Sequence, residues 1–185
     1  KRQQLQPAYR QLAKIHSFRR DTDAVAEILG RGYEKTNEPS LAFELASFYY
    51  QVQNYQAASE IYEKLIEEDE GALSAINNLA MIYAQQLRSP ENLKKALALT
   101  ADLQDAENPA FLDTVGWVFY LTGDYERALT YVKAAVDKVG SAAELQYHLG
   151  MIFLKMGDIE NAKIHLALAV EDQNARYEVM DIEKR

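Results

Sequence analysis

Side chains that could carry out chemistry are scattered along this sequence of 185 residues. Histidine suits acid–base catalysis and metal binding near neutral pH, but His16, His148 and His165 fall in three different predicted helices, without metal-binding spacing. Cysteine is absent, which excludes disulfides and thiolate chemistry, and no Ser or Thr lies in a nucleophile–base pattern. We therefore predict no catalytic residue, no metal site and no cofactor.

The charge distribution bears on possible partners. The chain has 20 Lys and Arg against 28 Asp and Glu, a net charge of −8, which argues against nucleic acid as the main partner. Residues 1–20 are basic without a single acid, so that end either pairs with an acidic body of another copy or is a solvated helix face. The acidic run at residues 67–70 is interpreted as a solvated helix end rather than a cation site.

The chain shows no sign of crossing a membrane. It contains no run of 18 apolar residues, the length that a membrane-spanning helix needs. It begins with Lys1, and we expect it to be a segment of a longer protein.

A sequence pattern that occurs twice predicts the elements that position these side chains. A strict period of this kind is typical of stacked helical hairpins. In each copy a Gly-Asp pair is expected to end the first helix at a positive φ and to cap the second. A small residue after the central Leu is expected where the two helices cross closely. The equivalent residues lie 34 positions apart: Gly116 and Gly150, Gly123 and Gly157, and Ala128 and Ala162.

This period, with a small Gly three residues before a Phe and an Ala at the same later position in both copies, resembles the tetratricopeptide repeat. The resemblance implies an all-α, right-handed α-solenoid of about five helix–turn–helix units with a C-terminal capping helix. We expect one domain over residues 1–185, with units at about 6–38, 39–72, 73–108, 109–142 and 143–176 and a cap at 177–185.

Two units depart from the simple pattern. The third unit has a longer turn, in which Ser89 and Pro90 predict a helix start with Ser as the cap. In the first unit, Gly30 and Gly32 are expected to weaken the second helix by roughly 1 kcal/mol each.

The resemblance also implies which residues bind a partner, because the first helices of successive tetratricopeptide units line a concave groove. Trp and Tyr often anchor interfaces, Met packs adaptably, and Asn can hydrogen-bond a peptide backbone. The alternative is that the aromatic and Met side chains among these residues pack between the first helices. The predicted partner-binding residues are Arg10, Lys14, Phe43, Glu44, Tyr50, Asn77, Asn78, Met81, Asp113, Trp117, Tyr120, Tyr147, His148, Met151 and Lys155.

One subtype of ligand is excluded by the residues at these positions. Tetratricopeptide domains that hold chaperone tails use a clamp of basic and Asn side chains for the terminal carboxylate. Here Glu44 occupies the second clamp position and would repel a carboxylate, and Ser74 and Asn78 replace two bases on the third helix. His165, on a second helix, is expected at the surface.

The sequence therefore predicts a non-catalytic scaffold that binds a protein or peptide in its groove. Two alternatives stay open: a self-assembling module of a larger complex, and an aromatic groove for a polysaccharide or small ligand. The sequences at residues 75–80, 108–117 and 145–149 resemble those of bacterial envelope-associated tetratricopeptide proteins linked to exopolysaccharide export. That resemblance implies a periplasmic or envelope-associated location.

Overall fold

The computed structural model describes residues 5–140 and 142–170, whose regular structure is helical, with no strand among them. None of the described helices is long and apolar enough to cross a bilayer. A π-helical segment, Ile82–Gln86, extends the fifth helix, and a 3-10 turn, Thr100–Leu103, follows the sixth. The α-helices are α1 (Gln6–Phe18), α2 (Thr22–Thr36), α3 (Pro39–Gln51), α4 (Tyr55–Glu68), α5 (Leu73–Met81), α6 (Pro90–Leu99), α7 (Pro109–Thr122), α8 (Tyr125–Val139), α9 (Ala143–Met156) and α10 (Ile159–Val170).

Consecutive helices pack against one another. α1 packs on α2, α3 on α4, α7 on α8 and α9 on α10, and the second helix of a hairpin also contacts the first helix of the next. The chain divides into two compact units, residues 1–82 with α1–α5 and residues 83–185 with α6–α10. The predicted all-α helical repeat is confirmed, whereas the predicted cap at 177–185 lies outside the described residues.

The Gly-Asp pairs form the predicted turns. Gly123 and Gly157 end α7 and α9 in the left-handed region, with φ of 91° and 82°, where a residue without Cβ is least strained. The carboxylates of Asp124 and Asp158 each accept a hydrogen bond of 3.1 Å from the backbone N–H three residues later. These contacts satisfy N–H groups that the first turn of α8 or α10 would otherwise leave unpaired.

Small residues lie where helices of one hairpin cross, as predicted. A Cβ added at Gly116 would lie 2.5 Å from Val132 Cγ2, and one at Gly150 would lie 2.6 Å from Leu166 Cγ. Both distances are far below van der Waals contact, so a side chain at either position would push the hairpin apart.

The glycines of the first hairpin lie within a continuous helix. α2 runs without interruption from Thr22 to Thr36, although Gly is a poor helix former. A Cβ at Gly32 would lie 2.8 Å from Tyr9 Cγ. The cost of Gly32 in helix propensity is therefore offset by the close approach of α1.

The longer turn of the third predicted unit is followed by the expected helix start. Ser89 caps α6 by accepting a 3.0 Å hydrogen bond from the backbone N–H of Asn92, and Pro90 is the first residue of the helix. Pro suits this position because its missing N–H has no intrahelical partner there.

Candidate binding surfaces on the first helices

An ion pair joins two predicted residues of the first compact unit. Arg10 on α1 contacts Glu44 on α3 through Nε and Oε1. The two side chains are 39% and 38% exposed, and a pair so open to water contributes at most about 1 kcal/mol to stability. Arg10 offsets the charge of Glu44 that was expected to repel a carboxylate. Lys14, one turn further along α1, is exposed.

A polar network occupies the facing sides of α3, α4 and α5. The hydroxyl of buried Tyr62 lies 2.9 Å from Ser47 Oγ and accepts a 2.9 Å hydrogen bond from Asn78 Nδ2. Asn77 donates a 3.2 Å hydrogen bond to Asn78 Oδ1, and the ring of Phe43 meets that of Tyr62 edge to face at 5.5 Å. The two asparagines expected to bind a peptide backbone are thus hydrogen-bonded within the protein.

The remaining predicted residues of this unit differ in accessibility. Tyr50, near the end of α3, is 40% exposed, and its ring packs edge to face on Tyr55 at 5.4 Å. Met81, at the end of α5, is half-buried. Tyr50 and Lys14 are therefore the predicted residues of the first unit that are most open to a partner.

An aromatic cluster joins α7 and α9 in the second compact unit. Trp117 is only 8% exposed. Its ring stacks on Tyr120 with centroids 4.5 Å apart and on His148 at 3.9 Å, and Tyr147 lies at 6.1 Å. Trp117 Nε1 is buried without a hydrogen-bond partner among the described residues. Trp117 therefore packs against the neighbouring rings, as expected if the aromatic side chains fill the space between the first helices. Direct contact of a partner with the indole stays a prediction.

A buried hydrogen bond lies beside this cluster. Asp113 Oδ1 on α7 is 2.7 Å from His148 Nδ1 on α9, and the side chains are 13% and 4% exposed. Sequence analysis placed both residues in a groove open to a partner, yet they contact each other. Glu144, one turn before His148 on α9, is exposed and also belongs to this group. It was not predicted, although a Glu four residues before a His places both on one helix face.

The accessible part of α7 and α9 is apolar with a polar end. Tyr120 is half-buried, and burial raises the pKa of its hydroxyl, so the phenol stays neutral at physiological pH. Lys155 is exposed near the C-terminal end of α9. We use the name α7–α9 surface for four of the half-buried side chains of these two helices, Tyr120, Tyr147, Met151 and Leu154.

His165 on α10 is half-buried rather than open to solvent as expected. Its Nδ1 lies 2.6 Å from Gln146 Oε1, and its ring stacks on Phe153 at 5.3 Å. Burial is the main cause that lowers the pKa of His165, and the positive charge of Lys133 adds to it. The imidazole is therefore held in its neutral form and serves the packing of α9 on α10.

A surface cleft of about 670 Å³ lies at the turn between α7 and α8, and none of the predicted partner-binding residues lines it. Two of its charged groups, Asp124 and Arg127, pair with each other at 2.5 Å. The guanidinium of Arg127 also lies over the Phe119 ring at 4.3 Å. These contacts occupy the groups best suited to recognise a charged ligand.

Comparison with known proteins supports the repeat assignment. The tetratricopeptide repeat family matches residues 39–71 and residues 116–176. No curated protein matches the sequence.

Solved structures with the same fold cover nearly the whole chain. A thermophilic tetratricopeptide protein of Thermus thermophilus, TTC0263, is 19% identical with a TM-score of 0.73, over 95% of this chain and 97% of that one. MamA from Desulfovibrio magneticus is 16% identical with a TM-score of 0.73, over 97% and 95%. PilF of Pseudomonas aeruginosa is 16% identical with a TM-score of 0.76, over 99% and 86%. At these identities the likeness concerns the fold alone.

Proposed function

Because this chain belongs to the tetratricopeptide repeat family, whose fold is a protein–protein interaction module and whose members are generally non-catalytic scaffolds, we propose that it binds a peptide segment of a partner protein through its first helices. The observation that carries the proposal is the α7–α9 surface, where apolar side chains are held by a buried cluster yet keep part of their area in water.

The rings of this surface are positioned before any partner arrives. Tyr120 stacks on the buried Trp117 with the two planes only 13° apart, and Tyr147 contacts the same indole. A side chain held in place loses little conformational freedom on binding, so more of the contact energy appears as affinity. Tyrosine also combines a large apolar face with a hydroxyl, which suits a mixed peptide surface.

A charged group on α9 favours a partner segment with both apolar and polar groups. Lys155 is exposed on the helix that carries Tyr147, Met151 and Leu154. In this proposal the α7–α9 surface contributes most of the affinity, and Lys155 helps to select among apolar segments. Lys14 and Tyr50 belong to the other compact unit and are not part of this site.

The test starts from peptides selected against the protein from a displayed random library. The double variant Tyr120→Ala with Tyr147→Ala is expected to bind a selected peptide more weakly, by about tenfold or more, because it lacks two anchor residues. Tyr33→Ala is the matched control, because this half-buried tyrosine lies on the second helix α2. Circular dichroism checks that each variant folds.

Two results would overturn the proposal. One is a selected peptide that binds the folded double variant as tightly as the original protein. The other is a chain that selects no peptide and instead grows in mass with concentration in light scattering, or binds only glycans, as the alternatives from the sequence predict. An envelope location and a link to exopolysaccharide export stay predictions.

A further inference from the structure

Three potential metal ligands converge between α7 and α9. Asp113 comes from α7, and Glu144 and His148 come from α9, with their ligand atoms all within 4.8 Å of one another. The sequence predicted no metal site because the histidines are far apart. The structure instead brings two carboxylates to one histidine, and the carboxylates lie 31 positions apart along the chain.

We propose that Asp113, Glu144 and His148 bind a divalent first-row transition-metal ion. One imidazole nitrogen with two carboxylate oxygens is a mixed donor set that Zn²⁺, Co²⁺ and Ni²⁺ accept, whereas Ca²⁺ and Mg²⁺ prefer oxygen alone. Three protein ligands leave at least one position of a four-coordinate ion open to water or to another ligand.

The geometry requires little movement. Ligand atoms bound to one ion at about 2.1 Å each lie at most about 4.2 Å apart. Asp113 Oδ1 and His148 Nδ1 are already 2.7 Å apart and have only to separate slightly. Glu144 is exposed, so rotation of its side chain can close the remaining gap.

The surroundings of these three residues also suit a metal ion. Asp113 and His148 are 13% and 4% exposed in their side chains and project from two packed helices. The His148 ring is fixed on its face by Trp117 at 3.9 Å. Burial of two ligands limits competition from water, and the exposed Glu144 side provides the route by which an ion enters.

A hydrogen bond that merely satisfies a buried histidine explains only two of the three residues. That explanation requires Asp113 and His148, and it places no demand on position 144. A metal site requires a third donor, and Glu144 lies one turn from His148 on the same face of α9. The two explanations therefore differ in the effect of changing Glu144.

The only tryptophan of the chain provides the measurement. Co²⁺ or Ni²⁺ bound at His148 is expected to quench Trp117 fluorescence, because the imidazole stacks on the indole. The quenching should saturate at one ion per chain, and Zn²⁺ should relieve it by competition. Glu144→Gln is expected to weaken binding of the ion by about tenfold or more, since it replaces an anionic carboxylate ligand with a neutral amide of the same shape.

The matched control is His16→Gln, which removes the 3.1 Å contact between His16 on α1 and Asp21, the N-cap residue of α2, and should leave the titration unchanged. Asp113→Asn tests a second ligand, with circular dichroism to check its fold. Saturable quenching that is lost in Glu144→Gln and kept in His16→Gln supports the site. Absence of saturable quenching, or equal affinity in Glu144→Gln, overturns it whether or not the protein binds peptides.

Discussion

An ion pair and a carboxylate–imidazole hydrogen bond occupy equivalent places in the two compact units and differ in almost every other respect. Arg10 and Asp113 are each the fifth residue of a first helix, and Glu44 and His148 are each the sixth residue of the first helix that follows in the next hairpin. The Arg10–Glu44 pair is more than a third exposed, whereas the Asp113–His148 pair is buried. The repeat determines which positions meet, and the residue types determine what the contact does.

The neighbouring residue explains the difference in burial. Trp117 is the ninth residue of α7, four after Asp113, and the ninth residue of α1 is Lys14, four after Arg10. The indole covers the face of His148, while Lys14 is exposed. A large aromatic side chain therefore shields one contact from water, and losing a partner is more costly there.

The largest effect is expected when the indole of α7 is removed. Trp117→Ser removes a buried ring and is expected to lower the free energy of unfolding by about 3–5 kcal/mol, the cost of truncating a buried aromatic. Chemical denaturation followed by circular dichroism measures it. A loss below about 1 kcal/mol would mean that the indole does not support the aromatic cluster.

Removing one partner of each pair compares the two units directly. His148→Ala is expected to lower the free energy of unfolding by roughly 2–4 kcal/mol, because it leaves a cavity and an Asp113 without its hydrogen-bond partner. Glu44→Ala should lower the free energy of unfolding by less than about 1 kcal/mol. Equal losses in denaturation midpoint for the two variants would contradict the difference in burial.

The turns of the two units offer a third comparison. Gln53 precedes the cap of α4 at a φ of 62°, and Gly123 precedes the cap of α8 at a φ of 91°. Gln53→Gly is expected to stabilise the protein by about 0.5–1 kcal/mol by relieving left-handed strain, and Gly123→Gln to destabilise it by about 1 kcal/mol. Thermal melts should move in opposite directions, and a shared direction would contradict this account.

The smallest expected effect depends on pH. The pKa of His165 is lowered in the folded protein by burial, so its contribution to stability is present above the unfolded value of about 6.5 and is lost as pH falls through the folded value. His165→Gln should flatten the fall of stability below about pH 6.5. Denaturation at several pH values measures how the free energy of unfolding changes with pH. An unchanged pH dependence in the variant would contradict the role given to His165.

Much of the fold could be predicted because its signals are local. The spacing of Gly116 and Gly150 and the Gly-Asp pairs predicted the period, the crossings and the caps. Each of these depends on residues within one hairpin. The packing role of Gly32 could not be predicted from its helix propensity, because it depends on the approach of Tyr9 from another helix.

The candidate sites were harder to predict because they depend on contacts between hairpins. Sequence analysis selected Trp117 and His148 as residues that face a ligand, yet their stacking requires α7 and α9 to lie side by side. The convergence of Asp113 and Glu144 has the same origin. Periodicity shows which face of a helix a residue occupies, but not how much of that face its neighbours cover.

The central claim is that the α7–α9 surface binds the partner segment. Hydrogen–deuterium exchange of the protein with and without a selected peptide tests it most directly. The account predicts slower exchange concentrated in residues 109–122 and 143–156, with little change in α2 and α4. Protection confined to the second helices, with α7 and α9 exchanging as in the free protein, would contradict it.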